Sequence, residues 1–299
     1  MLKTAMKVRK KRTKTPALTT AIVFNGRVYF TDMDMSASVP TTLADGFYNP
    51  DTLLNGLTPQ LIDCGNVTLG DVLPEWGDDY TPRGNVTLDR DTLAFLSRAT
   101  GQDDVRYFLC GIYFGQEHIV ATDGHRMHYV ANNISLHHIV PNKMIDIILS
   151  SKAKSITLQF FGQCVRCHID DLILVSKCIN GTFPDYQRII PDITSAQRYP
   201  FSASEIATAY KIVKPLLPKK SPGYNPVHSC YVTDSLLHWT GIEQPQPIAT
   251  TRWPSDTGFS APYLIDTSLD NATLHWTGPL DPALISKDNL TAIIMPVRI

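Results

Sequence analysis

Strand-like runs and short amphipathic helices alternate along the chain, and their order recurs. Positions 28–35, 118–125 and 236–243 each set β-branched or aromatic residues against a polar break, at spacings of about 90 and 120 residues, which is the signature of an internal repeat. Helices are predicted at comparable places. Residues 88–100 follow Asn85-Val86-Thr87 and carry an apolar stripe of Leu93, Phe95 and Leu96 with Arg90 and Arg98 off it. Residues 202–217 open on Ser202-Ala203-Ser204-Glu205, a capping pattern, and stop before Pro218. A second helix per unit is predicted at 50–57, 141–151 and 260–269, each opened near a proline or a capping residue. Turn-rich stretches at 76–84 and 181–185 then divide an α+β protein into three domains, 1–84, 85–182 and 183–299, the first visibly shorter.

Composition narrows the class. Of the 299 residues, 43% are hydrophobic and 18% charged, which excludes a disordered chain and provides ample material for a core. The 27 bases and 28 acids nearly cancel, but not locally. Residues 1–15 hold Lys3, Lys7, Arg9, Lys10, Lys11, Arg12 and Lys14 with no acid, leaving an acidic remainder; this asymmetry reads either as an anionic contact or as a solvated tail. No apolar run is long enough for a membrane span or a secretory signal, so a cytoplasmic protein is expected; a mitochondrial presequence is the competing reading of the basic start. Six Asn-x-Ser/Thr sequons, at Asn66, Asn85, Asn133, Asn180, Asn271 and Asn289, would then be inert.

Two patterns suggest chemistry. Cys164-Val165-Arg166-Cys167-His168 fits a haem-attachment run or half a zinc site. It lies, however, in a β-branched and aromatic stretch expected to form paired strands, where positions three apart point to opposite faces and the sulfurs do not converge. Asp123 and His125 could act as an acid–base pair, but Asp-Gly between apolar runs is first a turn. Phosphate-loop, dinucleotide, zincin and nucleophile-elbow motifs are all missing from the sequence. No cofactor, metal site or catalytic residue is therefore expected.

Three segments together resemble the bacterial DNA polymerase III β sliding clamp family. They are Asp104-Val105-Arg106-Tyr107-Phe108-Leu109-Cys110-Gly111-Ile112 leading into Val120-Ala121-Thr122-Asp123-Gly124-His125-Arg126-Met127, then Gly181-Thr182-Phe183-Pro184-Asp185-Tyr186-Gln187-Arg188-Ile189-Ile190-Pro191, and Ile294-Met295-Pro296-Val297-Arg298-Ile299. The resemblance is good over 85–299 and weaker before, where Val72-Leu73-Pro74-Glu75-Trp76 matches the end of the first clamp domain. Against the family's pattern, the first strand and part of the first helix are missing or replaced by the basic segment 1–14.

The resemblance implies a processivity fold, with outer β-sheets and inner helices forming a closed ring around double-stranded DNA. It implies a non-catalytic processivity factor that tethers DNA polymerase, is opened by a clamp loader, and binds other proteins bearing a clamp-binding motif. The family's peptide groove corresponds to Leu109, Thr122, Gly124, His125, Arg126, Met127, Pro184, Arg188, Ile189, Ile293, Met295, Pro296, Val297 and Arg298. As a set these would make an adaptable apolar cleft (Leu109, Met127, Ile189, Met295) with stiff walls (Pro184, Pro296) and polar anchors (Arg126, Arg188). DNA-facing bases would be Lys7, Arg9, Lys10, Lys11, Arg12, Arg90, Arg98, Lys211 and Lys214, with Asp266 and Asp270 diluting the third domain's inner charge. A homodimer is expected, a homotrimer being the other way to six domains. Two other readings are a clamp-like module that binds partners without encircling DNA, and a CxxCH redox or metal protein.

Overall fold

The computed structural model describes residues 1–65, 67–68, 83–102, 105–219, 228–254 and 256–297. The Val72–Trp76 match, Asp104, Arg298, Ile299 and the sequon at Asn66 lie outside the described residues.

The chain forms two compact units, each discontinuous in sequence. The first comprises Met1–Ala94, Gly111–Gln116 and Ile134–Gly181; the second comprises Phe95–Cys110, Glu117–Asn133 and Thr182–Ile299. No cut falls at residue 84, because the strand that begins there belongs to the first unit's sheet.

Elements in chain order begin with α1 (Leu2–Ala5), β1 (Ala21–Phe24), β2 (Arg27–Thr31), β3 (Met35–Pro40), β4 (Gly46–Tyr48) and α2 (Pro50–Leu54). Next are β5 (Gly84–Asp89), α3 (Arg90–Ser97), β6 (Gly111–Phe114), β7 (His118–Thr122), β8 (Arg126–Ala131), β9 (His138–Pro141) and α4 (Asn142–Leu149). Then come β10 (Ser155–Phe161), β11 (Cys164–Ile169), β12 (Leu172–Lys177), β13 (Gln197–Phe201), α5 (Ala203–Val213), β14 (Ser229–Thr233), β15 (Leu236–Trp239) and β16 (Ile242–Pro247). The chain closes with β17 (Gly258–Ser260), α6 (Ala261–Asp266), β18 (Ala272–Trp276), β19 (Ala283–Lys287), β20 (Leu290–Ile294) and β21 (Pro296–Val297).

In the first unit β4-β1-β2-β3-β12-β11-β10-β5 form one antiparallel sheet. Strands of the first and middle repeats therefore share it, joined where Ala37 faces Leu174 and Ser36 faces Val175. Alternation drives the packing: Ile156, Leu158 and Phe160 of β10 are fully buried while the residues between them are not. In the second unit β13-β18-β19-β20-β8-β7 run in that order, joining the third and middle repeats where Ile293 faces Met127. A separate sheet there has the order β16-β15-β14-β17-β21.

The repeat is visible in side-chain detail. At the β2–β3 break the Thr31 hydroxyl donates to Met35 O (2.9 Å) and accepts from Met33 N, while Asp32 accepts from Asp34 N and Met35 N. At the β7–β8 break Thr122 donates to Arg126 O (2.6 Å) and accepts from Gly124 N, while Asp123 accepts from His125 N and Arg126 N. Even the backbone sign agrees, with Met33 at φ 76° and Gly124 at φ 91°. The third repeat departs, replacing the break with a tight Thr240-Gly241 turn.

Two expectations are corrected. Residues 1–8 are a folded part of the first unit: α1 and the 3-10 turn Met6–Val8 bury Ala5 and Val8 completely, and Lys143 Nζ donates to Val8 O. The capping pattern at Ser202 is not used as such; its hydroxyl donates to Asp270 Oδ1 (2.7 Å), and Asp270 takes the N–H of Ser204 (2.9 Å). Glu205 instead accepts the N–H groups of Ala249, Thr250 and Thr251.

Candidate functional site: a cleft around the β7–β8 turn

Most of the groove positions named from the sequence fall in the second unit, around β7, β8 and β20. Thr122 and Gly124 build the turn described above, and a Cβ on Gly124 would lie 2.7 Å from Arg106 Nη1. Met295 N donates to His125 O (3.1 Å), tying the segment after β20 to that turn. Pro296 and Val297 pair with Phe259 and Gly258 of β17.

Beneath this lies an apolar floor. Val120, Met127, Leu284 and Ile293 form a buried cluster, with Phe183, Tyr186, Ile190 and Ile193 packed on it in partly exposed positions. Met127 and Ile293 are fully buried and Leu109 is 2% exposed, so they support a surface rather than line it. Ile189 and Met295 are exposed apolar residues of the set, at 39% and 38%, and Pro184, next to Phe183 in sequence, is exposed as well. The 3-10 turn Tyr186–Ile189 is pinned to β7 by the Tyr186 hydroxyl at His118 Nδ1 (3.3 Å) and by Gln187 donating to Glu117 (2.7 Å). Burial pulls the His118 imidazole below its ordinary pKa, favouring the neutral ring at that contact.

The polar anchors are corrected. Arg126 is one-tenth exposed, and its Nε donates to Asp123 Oδ2 (3.0 Å) and its Nη1 to Asp266 Oδ2 (2.5 Å). Its guanidinium also lies 4.5 Å from the centre of the Tyr263 ring, which stacks in turn on His125. Two carboxylates already neutralise it, so it is a rigid wall and not a free anion receptor. Arg188 is different, because its side chain is 83% exposed and pairs with Asp185 (2.7 Å) among the described residues.

Phe183, Tyr186, Ile190, Ile193, Tyr263 and Asp266 were not among the sequence candidates for this cleft. Phe183, Tyr186 and Ile190 sit inside the segment that carried the resemblance, whereas no local signal marks Tyr263 or Asp266, which lie about 140 residues from Arg126.

The proposed DNA-facing bases divide in the same way. Lys7, Lys10, Lys11, Arg12, Arg98, Lys211 and Lys214 are exposed. Arg90 donates to Ser151 O (2.8 Å) and Leu149 O, capping α4, and Arg9 donates to Thr19 O (3.0 Å). Arg90 is thus a structural tie, both of its terminal nitrogens being held by carbonyls, while Arg9 is held by one carbonyl and lies 3.9 Å from Asp51. Asp266 and Asp270 are likewise engaged, by Arg126 and by the start of α5.

The cysteine run lies on β11, the middle strand of the β10–β11–β12 meander. Burial pushes the Cys167 thiol up to about 12 while Cys164 sits half-buried one turn of the pleat away, an environment that opposes thiolate formation.

Residues 90–185 match the family described as DNA polymerase III beta subunit, central domain. The beta sliding clamp of Proteus mirabilis is 35% identical over 131 residues, 38% of this chain and 36% of that protein. The chain thus matches about a third of the length of that relative. The beta sliding clamp of Vibrio cholerae is 24% identical over 248 residues, 74% of this chain and 68% of that protein. Among solved structures, the Caulobacter crescentus beta sliding clamp superposes with a TM-score of 0.77 at 22% identity, covering all of this chain and 96% of that one. The Bartonella birtlesii clamp, solved bound to griselimycin, gives 0.77 at 20%. The fold is that of the sliding clamps. In sequence the resemblance to the beta sliding clamps is strongest over the central third of the chain, and in fold it extends over the whole of it.

Proposed function

We propose that this chain is a DNA sliding clamp: a cytoplasmic, non-catalytic processivity factor that surrounds double-stranded DNA without reading its sequence and tethers DNA polymerase, a clamp loader and other clamp-binding proteins. Its domains are read as 1–84, 85–182 and 183–299, and its self-association as a homodimer or homotrimer. An encircling protein needs few and sparse phosphate contacts, which suits a chain of near-zero net charge with scattered exposed bases at Lys7, Lys10, Lys11, Arg12, Arg98, Lys211 and Lys214.

The observation that carries the partner-binding part is the gathering of Ile189, Met295 and the Phe183–Ile193 shelf over the Met127–Ile293 floor. A short peptide with two adjacent apolar residues would seat its side chains there, and Arg188, exposed beyond its pair with Asp185, is the cation placed to meet an acidic group. Fluorescence anisotropy with such a labelled peptide tests this reading. Ile189→Ala combined with Met295→Ala is expected to weaken binding about tenfold or more; no binding by the wild-type chain would overturn it.

The reading of a clamp-like module that does not encircle DNA is favoured by one observation. Among the described residues, the first repeat contributes strands to a single sheet, whereas the middle and third repeats each contribute to two. Retention on circular but not on linear DNA separates the two readings.

A further inference from the structure

β13 is the terminal strand of the second unit's larger sheet, paired on one side with β18. Its other edge can be followed residue by residue. Ser202 N donates to Thr251 Oγ1 (3.0 Å), the Thr251 hydroxyl donates to Ser202 O (3.3 Å), and Arg252 N donates to Pro200 O (3.1 Å). Residues 251 and 252 thus cover this edge as far as Pro200. In an antiparallel ladder alternate residues turn their backbone groups the same way, so Arg198, two before Pro200, also points its N–H and C=O away from β18. Among the described residues nothing pairs with them.

An open cavity of about 430 Å³ lies at this uncovered end, with Arg198, Tyr199, Pro200, Thr250, Asn271 and Thr273 in its lining. Four of the six carry polar side chains without a hydrogen-bond or ion-pair partner among the described residues: the Arg198 guanidinium, the Thr250 and Thr273 hydroxyls and the Asn271 amide. Asn271 and Thr273 belong to one of the sequons, and Asn271 is left-handed at φ 53° where the chain turns into β18. Tyr199, whose hydroxyl is taken by Gln197, and Pro200 supply apolar wall.

Charge decides what such a cavity can hold. Arg198 is exposed and meets no carboxylate among the described residues. Directly opposite it on β18, the His275 imidazole is held below its ordinary pKa by burial and by the Arg198 charge, so that ring is neutral. Two carboxylates flank the cavity, and both are engaged: Asp270 by Ser202 and Ser204, Glu205 by the N–H groups of Ala249, Thr250 and Thr251. Lys287 acts electrostatically on Asp270, and Arg252 adds a second cation beside the 249–251 segment. What remains unused is a guanidinium, two hydroxyls, an amide and the Arg198 N–H, a donor set suited to an oxyanion. A bare phosphate would fill only a small part of the cavity, whose volume is that of a small-molecule site.

We propose that this cavity binds a small organic oxyanion, with its phosphate or carboxylate group held by Arg198, Thr250, Asn271 and Thr273 and an apolar body lying against Tyr199 and Pro200. It shares no lining residue with the peptide cleft and is independent of whether the chain encircles DNA. A cation and a proline on an open strand also discourage pairing with another chain. That role accounts for Arg198 and Pro200, but not for the unpartnered hydroxyls and amide gathered around the same cavity.

Isothermal titration calorimetry on the full chain tests the proposal, with phenyl phosphate, benzoate and inorganic phosphate as probes. Phenyl phosphate or benzoate is expected to bind about tenfold more tightly than inorganic phosphate, through burial of the ring, and the tighter of the two identifies the anionic group. Arg198→Gln is expected to weaken binding about tenfold or more, since it removes a charge-assisted pair. Thr273→Val is expected to weaken it about threefold, the effect of one neutral hydrogen bond. Lys152→Gln, which removes an exposed charge from the other unit, is expected to leave the affinity unchanged. Circular dichroism checks that the variants fold. Absence of binding at millimolar probe, equal affinity for inorganic phosphate and both aromatic probes, or an affinity that Arg198→Gln and Lys152→Gln change alike would overturn the proposal.

Discussion

The Nδ1–H of His128 donates to Phe95 O at 2.6 Å while the two rings stack, and its Nε2 is buried without a partner among the described residues. Burial holds this imidazole down at about 3, against an ordinary value of 6.5. The folded protein therefore carries a neutral ring that the unfolded chain protonates below about pH 6.5. Between those two values the unfolded state binds more protons, so stability falls as pH drops from 6.5 toward 3 and levels off below. Urea titrations across this range are expected to show that slope, and His128→Leu to flatten it, whatever its cost at neutral pH.

Arg126 is the centre of a second arrangement. Arg126→Ala removes its donors from Asp123 and Asp266 and leaves Asp123, 18% exposed, without its partner. A loss of about 3 kcal/mol is expected by equilibrium unfolding. Arg126→Lys should recover only part, since one ammonium cannot address both carboxylates and the Tyr263 face in that geometry.

Met33 and Gly124 occupy the same turn position with the same left-handed backbone, but only one is a glycine. Met33→Gly is expected to be neutral or to stabilise by about 0.5–1 kcal/mol, since an exposed side chain is exchanged for relief of strain. Gly124→Ala is expected to destabilise by about 1–2 kcal/mol, adding strain and a clash with Arg106. Thermal melts of the two variants check the opposite signs.

Asp89 caps α3 through Thr92 N (2.8 Å) and the Thr92 hydroxyl (2.7 Å), and these bonds lower its carboxyl pKa. Asp89→Ala is expected to cost about 1 kcal/mol at neutral pH, measured by denaturant unfolding. Because a depressed carboxylate contributes above its unfolded value, this difference should shrink as pH falls through the acid range.

Native thiol titration should separate the cysteines. Burial raises the thiols of Cys167 and Cys178 to about 12 and raises that of Cys230 as well. These three are expected to react with an aromatic disulfide reagent only on unfolding, after Cys64, Cys110 and Cys164.

What was legible in the sequence was what the sequence states locally. Alternating burial in β10 to β12, the Asp-Gly break and the helix at 203–213 all follow from near neighbours, and the structure reproduces them with ends trimmed by a few residues. What depended on distance was not legible. The acceptor at the start of α5 is Asp270, 66 positions from Ser204, and Asp266 reaches Arg126 across 140. Met127 and Leu109 look like cleft residues because apolar side chains near a turn resemble lining, and only packing shows that they lie beneath it. Arg90 reads as an exposed helix base until the carbonyls ending α4 appear beside it.

The burial of Ala5 and Val8 has a consequence for how the basic end meets its surroundings. A disordered basic tail loses conformational freedom when it settles on a polyanion, and that loss offsets part of the attraction. Here Lys3 and Lys7 stand on a backbone already fixed by packing and by Lys143. On the proposed clamp reading their charges are arranged in advance, so contact with a phosphate backbone would require rotamer adjustment but little folding, and counterion release would be the main driving force.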